Sequence, residues 1–225
     1  MLKQYTLILN TIYANINFAI IDNNSQHIIE CSNVNFRGED LIYTLNQMLG
    51  DYKISINEIN AIAVVRGPGS FTGIRVGIAC ANMLANVLNI PIYGGTFFEI
   101  MNHYILNNYS NKGDYILALP VNHSGCYVQL YHADSSVSQP AKGLLTQKEG
   151  DEYSLDINPV TLYGDDKEIL TNSTSIQKRY NIKISTAMIY EWVKSLKKQD
   201  CTKLVKAYYI LEPKIHNKKK ESSCA

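Results

Sequence analysis

The chain has 225 residues, 46% of them hydrophobic, enough to pack one large domain or two small lobes and too apolar for a disordered chain. Its formal net charge of +1 gives no bulk attraction for nucleic acid, so any such contact has to be local. Five scattered cysteines, Cys31, Cys80, Cys126, Cys201 and Cys224, have no CxxC spacing, which speaks against a zinc knuckle or a disulfide framework and for a reducing, cytoplasmic setting.

Met1 to Tyr5 reads as the lead-in to a strand and not as a signal peptide. Thr6–Asn10, Asn15–Ile21 and His27–Val34 are β-rich runs, with a hairpin turn at Asn23-Asn24. Gly38–Tyr52 carries Leu41, Leu45, Met48 and Leu49 at helical spacing. Ala61–Val65 is wholly apolar, as a central strand covered on both faces should be. A turn then runs through Arg66-Gly67-Pro68-Gly69-Ser70 into a long apolar helix ending near Leu88. Ile90–Tyr93 is a fifth strand, and Thr96–Asn107 a helix with Thr96 as N-cap.

Residues 107–113 form a polar break. Beyond it, Tyr115–Leu119 and Cys126–His132 read as strands, Ser135–Pro140 as loop and Thr161–Gly164 as a short strand. Asp166–Thr171 reads as a short helix and Thr186–Lys197 as an amphipathic one. The order β-β-β-α-β-α-β-α in the first half predicts an α/β fold with mixed sheets, RNase H-like or actin-like. The domain reading is a full lobe over 1–107 and a reduced second lobe over 113–225, with a polar tail and a last helix free to pack back on the first lobe.

The glycine turn admits several readings. A P-loop needs a lysine after Gly73, and a nucleophile elbow needs G-x-S-x-G; neither spacing is met. A Rossmann fingerprint misses its third glycine, and Pro68 removes an amide donor. The plain structural reading gives Gly67 and Gly69 unusual backbone angles and Ser70 or Thr72 the helix cap, with Gly73 close behind; bare amides there leave room for a weak anion or nucleotide contact. The following helix is too apolar for one neighbour. Ile74, Ile78, Ala81, Ala85 and Leu88 form one stripe, Val76, Ala79, Met83 and Val87 extend round another side, and Arg75 is the only charge. Such a helix should be covered twice, by its own sheet and either by another part of the same chain or, on the sharper reading, by a helix of a second subunit.

Gly67 to Gly77, GPGSFTGIRVG, is similar over all eleven residues to the G-P-G-S-F-T-G-[LI]-R-[IV]-G signature of the TsaB (YeaZ) family. Asn89–Glu99 resembles the family segment that follows. Gly125-Cys126-Tyr127 and Tyr208–Pro213 match later segments only faintly. The resemblance implies an actin-like (ASKHA) fold and a non-catalytic role in tRNA threonylcarbamoyladenosine (t6A) synthesis, beside the anticodon. Partners so implied are a TsaD-type catalytic subunit, a TsaE-type ATPase in a larger complex, and a second copy when the chain is alone. Contact with tRNA is expected to be indirect, with no membrane contact. ATP and metal are expected on the partner subunits, with no cofactor of the chain's own. The interface is placed on Ile74, Arg75, Ile78, Ala81, Asn82 and Ala85, so that Ile78→Glu should break pairing and leave a folded chain.

The rival reading is a stand-alone ATP-dependent transferase or kinase of the actin-like superfamily. Actin-like ATPases place an Asp at the end of the first strand, where this chain has Asn10. The catalytic paralogue's H-x-x-x-H pair has no counterpart, since no two of His27, His103, His123, His132 and His216 are four apart. A Cys126–His123 pair, an Asp165–Asp166 carboxylate pair and tRNA contact through Lys218–Lys220 are better read as turn, cap and solvated tail. No zinc or serine signature supports an older peptidase label.

Overall fold

The computed structural model describes residues 4–13, 16–33, 40–110, 113–122, 125–134, 136–137, 141–144, 149, 160–164 and 175–210. The expectations for Asp165–Asp166, for a helix over 166–171, for His123 and Ser124, and for the lysine-rich tail lie outside these residues. Strands β1 (Tyr5–Asn10), β2 (Ile16–Asp22) and β3 (Ile28–Asn33) form an antiparallel meander. Helix α1 (Asp40–Asp51) buries the Leu41, Leu45, Met48 and Leu49 stripe that its spacing predicts. β4 (Ile59–Val65) then pairs parallel with β1, and β5 (Ile92–Gly95) parallel with β4. Between β4 and β5 lies α2 (Phe71–Leu88), and after β5 comes α3 (Phe97–Asn108). The sheet order is β3-β2-β1-β4-β5. Every residue of β1 is buried, as a strand covered on both faces requires.

A second five-stranded sheet has the order β10-β9-β6-β7-β8. Its strands are β6 (Tyr115–Asn122), β7 (Gly125–Tyr131), β8 (Lys142–Leu144), β9 (Val160–Gly164) and β10 (Ile176–Asn181). Sequence reasoning misses β8 and β10. β8 is three residues long, and β10, IQKRYN, has no apolar alternation because its last five residues are exposed.

Helix α4 (Thr186–Ser195) packs against β1, β2, β4 and α3, so its apolar side closes the first sheet. Trp192 lies where a side chain at Gly95 would be, 2.6 Å from the ideal Cβ position. Val205 stands in the same relation to Gly94. Consecutive strand positions point to opposite faces. Trp192 and Val205 therefore sit on opposite sides of β5, and the chain between them passes round its edge. Thr202 makes the passing bridge, donating its N–H to the Ile92 carbonyl at 3.0 Å.

Two glycines in helices have contrasting surroundings. A Cβ at Gly77 would stand 2.2 Å from Thr11 Oγ1, whereas one at Gly50 meets nothing within 4 Å. Gly77→Ala should overpack the junction and cost about 1–3 kcal/mol. Gly50→Ala should stabilise by about 0.5–1 kcal/mol through helix propensity alone. Thermal unfolding of the two variants checks this, with Tm moving down for the first and up for the second.

Candidate functional site: the glycine turn and helix α2

α2 begins where Ser70 caps it, the Gly73 N–H donating to Ser70 Oγ at 3.3 Å. The turn before it is filled by the chain's own backbone. Gly69, at φ 152°, lies against Ile12, whose carbonyl would be 2.4 Å from a Cβ there. Gly73 rides on the Thr11 carbonyl, and Gly67, at φ 124°, on that of Tyr208. The Ser70 N–H donates to Ile12 O at 2.7 Å, and the Tyr208 N–H to Arg66 O at 2.8 Å. Two of the amides that an anion at Gly67, Gly69, Ser70, Thr72 and Gly73 would use are thus already engaged. The glycines serve close approach of backbone to backbone. Thr72 is exposed and leaves the cap to Ser70.

Next to this joint, Asn10 and Thr11 are fully buried, and the Asn10 amide and the Thr11 hydroxyl have no hydrogen-bond partner among the described residues. Arg75 lies over the Phe71 ring at 4.0 Å, and that ring stacks on Tyr209 at 4.5 Å. Arg66 reaches Glu99 at 3.6 Å and lies over the Tyr208 ring at 5.5 Å.

The expected interface stripe needs correction. Ile74, Ile78, Ala81 and Ala85 are all buried, on the side of α2 that packs on β4, β1 and β5. Asn82 is engaged too, its side chain bonding both the N–H and the carbonyl of Val205 at 2.9 and 3.0 Å. The physical reason is ordinary amphipathicity: the larger apolar residues seat on the sheet, and the second apolar side is the one left outside. That outer side holds exposed Ala79, Met83 and Val87 and half-buried Val76 and Ile90; Met83 is 46% and Val87 71% exposed. Of the six expected residues, only Arg75 is exposed. The helix is 18 residues long with a mean hydropathy of 1.4, enough on length and composition to cross a membrane. One whole side of it is nevertheless built into the first sheet, as in a core helix.

No group of three His, Cys, Asp or Glu residues able to hold a metal occurs among the described residues. Cys80 faces inward from α2, and burial pushes its thiol up to about 11, so it is neutral at pH 7 and a poor nucleophile.

Comparison with known proteins agrees with this architecture. Residues 38–119 match the family model described as TsaD, tRNA N6-adenosine threonylcarbamoyltransferase. The protein named tRNA threonylcarbamoyladenosine biosynthesis protein TsaB from Escherichia coli is 52% identical over 40 residues, 18% of this chain and 17% of the relative. A protein of the same name from Buchnera aphidicola (Schizaphis graminum) is 35% identical over 68 residues, 30% of this chain and 32% of the relative. Another, from Buchnera aphidicola (Acyrthosiphon pisum), is 26% identical over 142 residues, 60% of this chain and 64% of the relative. The chain is similar to proteins of the TsaB (YeaZ) family. The matches span 17%, 32% and 64% of these three relatives' lengths, in the order given.

Solved structures extend the likeness in fold. A Pseudomonas aeruginosa protein described as similar to peptidase YeaZ superposes with a TM-score of 0.64 at 14% identity, covering 92% of this chain and all of that one. A Bacteroides thetaiotaomicron protein of actin-like ATPase fold gives 0.51 at 11% identity over 87% of this chain and 97% of that one. The fold is actin-like.

Three outcomes follow from the geometry. Ile78→Glu should unfold the chain, since a buried charge there costs on the order of 4 kcal/mol or more; loss of the cooperative thermal transition checks it. Asn82→Ala should strand the Val205 amide and carbonyl, cost about 1–3 kcal/mol and lower Tm by several degrees. In alkylation at pH 8, half-buried Cys31 and Cys201 should react before buried Cys80 and Cys126, as peptide mass mapping would show.

Proposed function

We propose that this chain is an accessory, non-catalytic subunit of the machinery that makes threonylcarbamoyladenosine in tRNA, next to the anticodon. In this reading it binds and supports a TsaD-type catalytic subunit in the cytoplasm. ATP and metal belong to the partner subunits, among them a TsaE-type ATPase in the larger assembly. The observation that carries the reading is the outer side of α2. Val76, Ala79, Met83 and Val87 form a near-continuous apolar strip with no acidic residue on the helix. Its inner side is already seated on the first sheet, so a second helical surface is the natural cover for the outer one. In the absence of that partner the same strip pairs two copies of the chain.

Met83→Glu combined with Val87→Glu tests this without the defect expected of Ile78→Glu. Both positions are exposed, so the folded chain should keep its Tm within about 1–2 °C. Co-purification with the TsaD-type subunit should be lost, and tRNA modification by the reconstituted set should fall at least tenfold. Assembly that survives the double substitution places the interface elsewhere. Titration calorimetry with ATP and magnesium should show no tight binding to the isolated chain; tight binding would favour the stand-alone transferase or kinase.

A further inference from the structure

Four tyrosines stand in a row across one face of the second sheet. Tyr131 and Tyr115 are opposite each other on β7 and β6, their rings 5.1 Å apart and within 6° of parallel. Tyr163 on β9 meets Tyr115 edge-on at 5.9 Å, and Tyr180 on β10 stacks on Tyr163 at 5.0 Å and 10°. The inner three are buried, and Tyr180 is 37% exposed. Tyr109, at the end of α3, lies edge-on to both Tyr163 and Tyr180 at 5.1 Å, and Tyr104 follows it at 6.3 Å. The row thus starts in the core and ends at the surface, on an edge strand with little apolar surface of its own to bury.

Tyr104 also lines a groove of about 710 Å³ between α3 and α4, with Asn107, Asn108, Met188, Glu191 and Lys194 along its walls, Lys194 being paired with Glu191 at 2.7 Å. Asn107 and Asn108 donate their amide N–H groups to carbonyls one helical turn back, at 2.8 and 2.9 Å, which leaves each Oδ1 to accept from a ligand. The groove is of a size that holds one or two rings.

Charge is concentrated in the same part of the chain. Residues 175–210 hold eight Lys or Arg against two acids, while the whole chain holds 21 against 20; Lys178, Arg179 and Lys183 lie on or beside β10, and Lys197, Lys198, Lys203 and Lys206 accompany the passage round β5. Lys178 is exposed on β10 and, two residues before Tyr180, shares its face of the sheet. Lys183 lies two residues before Ser185 of the groove.

We infer that this edge of the second sheet binds an unpaired stretch of RNA, bases stacking at Tyr180 and Tyr104 and phosphates lying along the Lys178–Lys183 strand. Stacking rings beside a cationic strand are how single strands are held without sequence preference. An acidic peptide without aromatic residues would use the cations but leave the rings unstacked. The choice of RNA over DNA rests on the function proposed above. The inference departs from the indirect tRNA contact expected from the near-neutral sequence, where a local excess of cations is hidden by acids elsewhere.

Fluorescence anisotropy of the full chain with a labelled, unmodified anticodon stem–loop tests it, with a blunt duplex of equal length and polyglutamate as competitors. The stem–loop should bind more tightly than the duplex, and polyglutamate should compete poorly. Tyr180→Ala should weaken binding about fivefold to a hundredfold, with Tyr180→Phe retaining it. Lys178→Ala, at an exposed position, should lower the slope of log affinity against log salt by about 0.7. Equal affinity for duplex and loop, effective competition by polyglutamate, or wild-type binding by both Tyr180→Ala and Lys178→Ala overturns the inference. Modification assayed in parallel separates the two readings. If tRNA modification needs the chain yet binding ignores these substitutions, only the RNA edge fails. If modification proceeds without the chain, the accessory-subunit reading fails, whatever the anisotropy shows.

Discussion

Backbone meets backbone at the first turns of α2, and the rest of the molecule is arranged around that contact. The Thr11 and Ile12 carbonyls lie so near Gly73 and Gly69 that no side chain fits between, and the Tyr208 carbonyl does the same at Gly67. Three distant parts of the chain are locked together there: the end of β1, the start of α2 and the segment after α4. Close approach of this kind leaves few alternatives, because interiors pack to near-crystalline density and a displacement of even one methylene is felt. The orientation of α2 on its sheet follows from it, and so does the choice of which side of the helix points outward.

That choice matters for function. A helix this apolar has two sides to hide, and the sheet takes the one bearing Ile74, Ile78 and Ala81. The remaining side is made of smaller groups, Ala79 and Val87, and of flexible Met83, which adapts to a partner more readily than β-branched isoleucine does. On the accessory-subunit reading proposed above, the glycine signature acts indirectly. It fixes a helix in place and, through the helix, a surface. The second lobe has a different character, with a tyrosine row in place of a glycine joint and a local excess of positive charge.

Much of this was legible in the residues. The β-β-β-α-β-α-β-α order, the α1 stripe and the Thr96 cap, whose box Glu99 completes, all follow from local pattern. The apolar surplus of α2 over what one sheet covers was legible as well. Which side faces which neighbour was not, because helical periodicity identifies apolar stripes but carries no information on which sheet they meet. Asn82 read as an interface residue for the same reason; its true partner, Val205, is 123 residues away. β10 escaped notice because an exposed edge strand of Gln, Lys, Arg, Tyr and Asn has no hydrophobic signature. The tyrosine row escaped because its members are far apart in sequence and become neighbours only through strand register.

The passage of residues 198–208 round the edge of β5 also bears on how the chain reaches this state. The first sheet is drawn from residues 5–95, yet its outer edge is closed by Thr202, one of its faces by α4 and the glycine joint by Tyr208. A nascent chain that has emerged only as far as β5 would hold an open parallel edge and a bare apolar face until more than a hundred further residues had followed. Long-range closure of this sort raises contact order and slows folding. It also exposes the unfinished sheet to edge-to-edge pairing in the interval. The first lobe is thus the first part made and one of the last to be completed, and the small second lobe is what delivers its missing pieces.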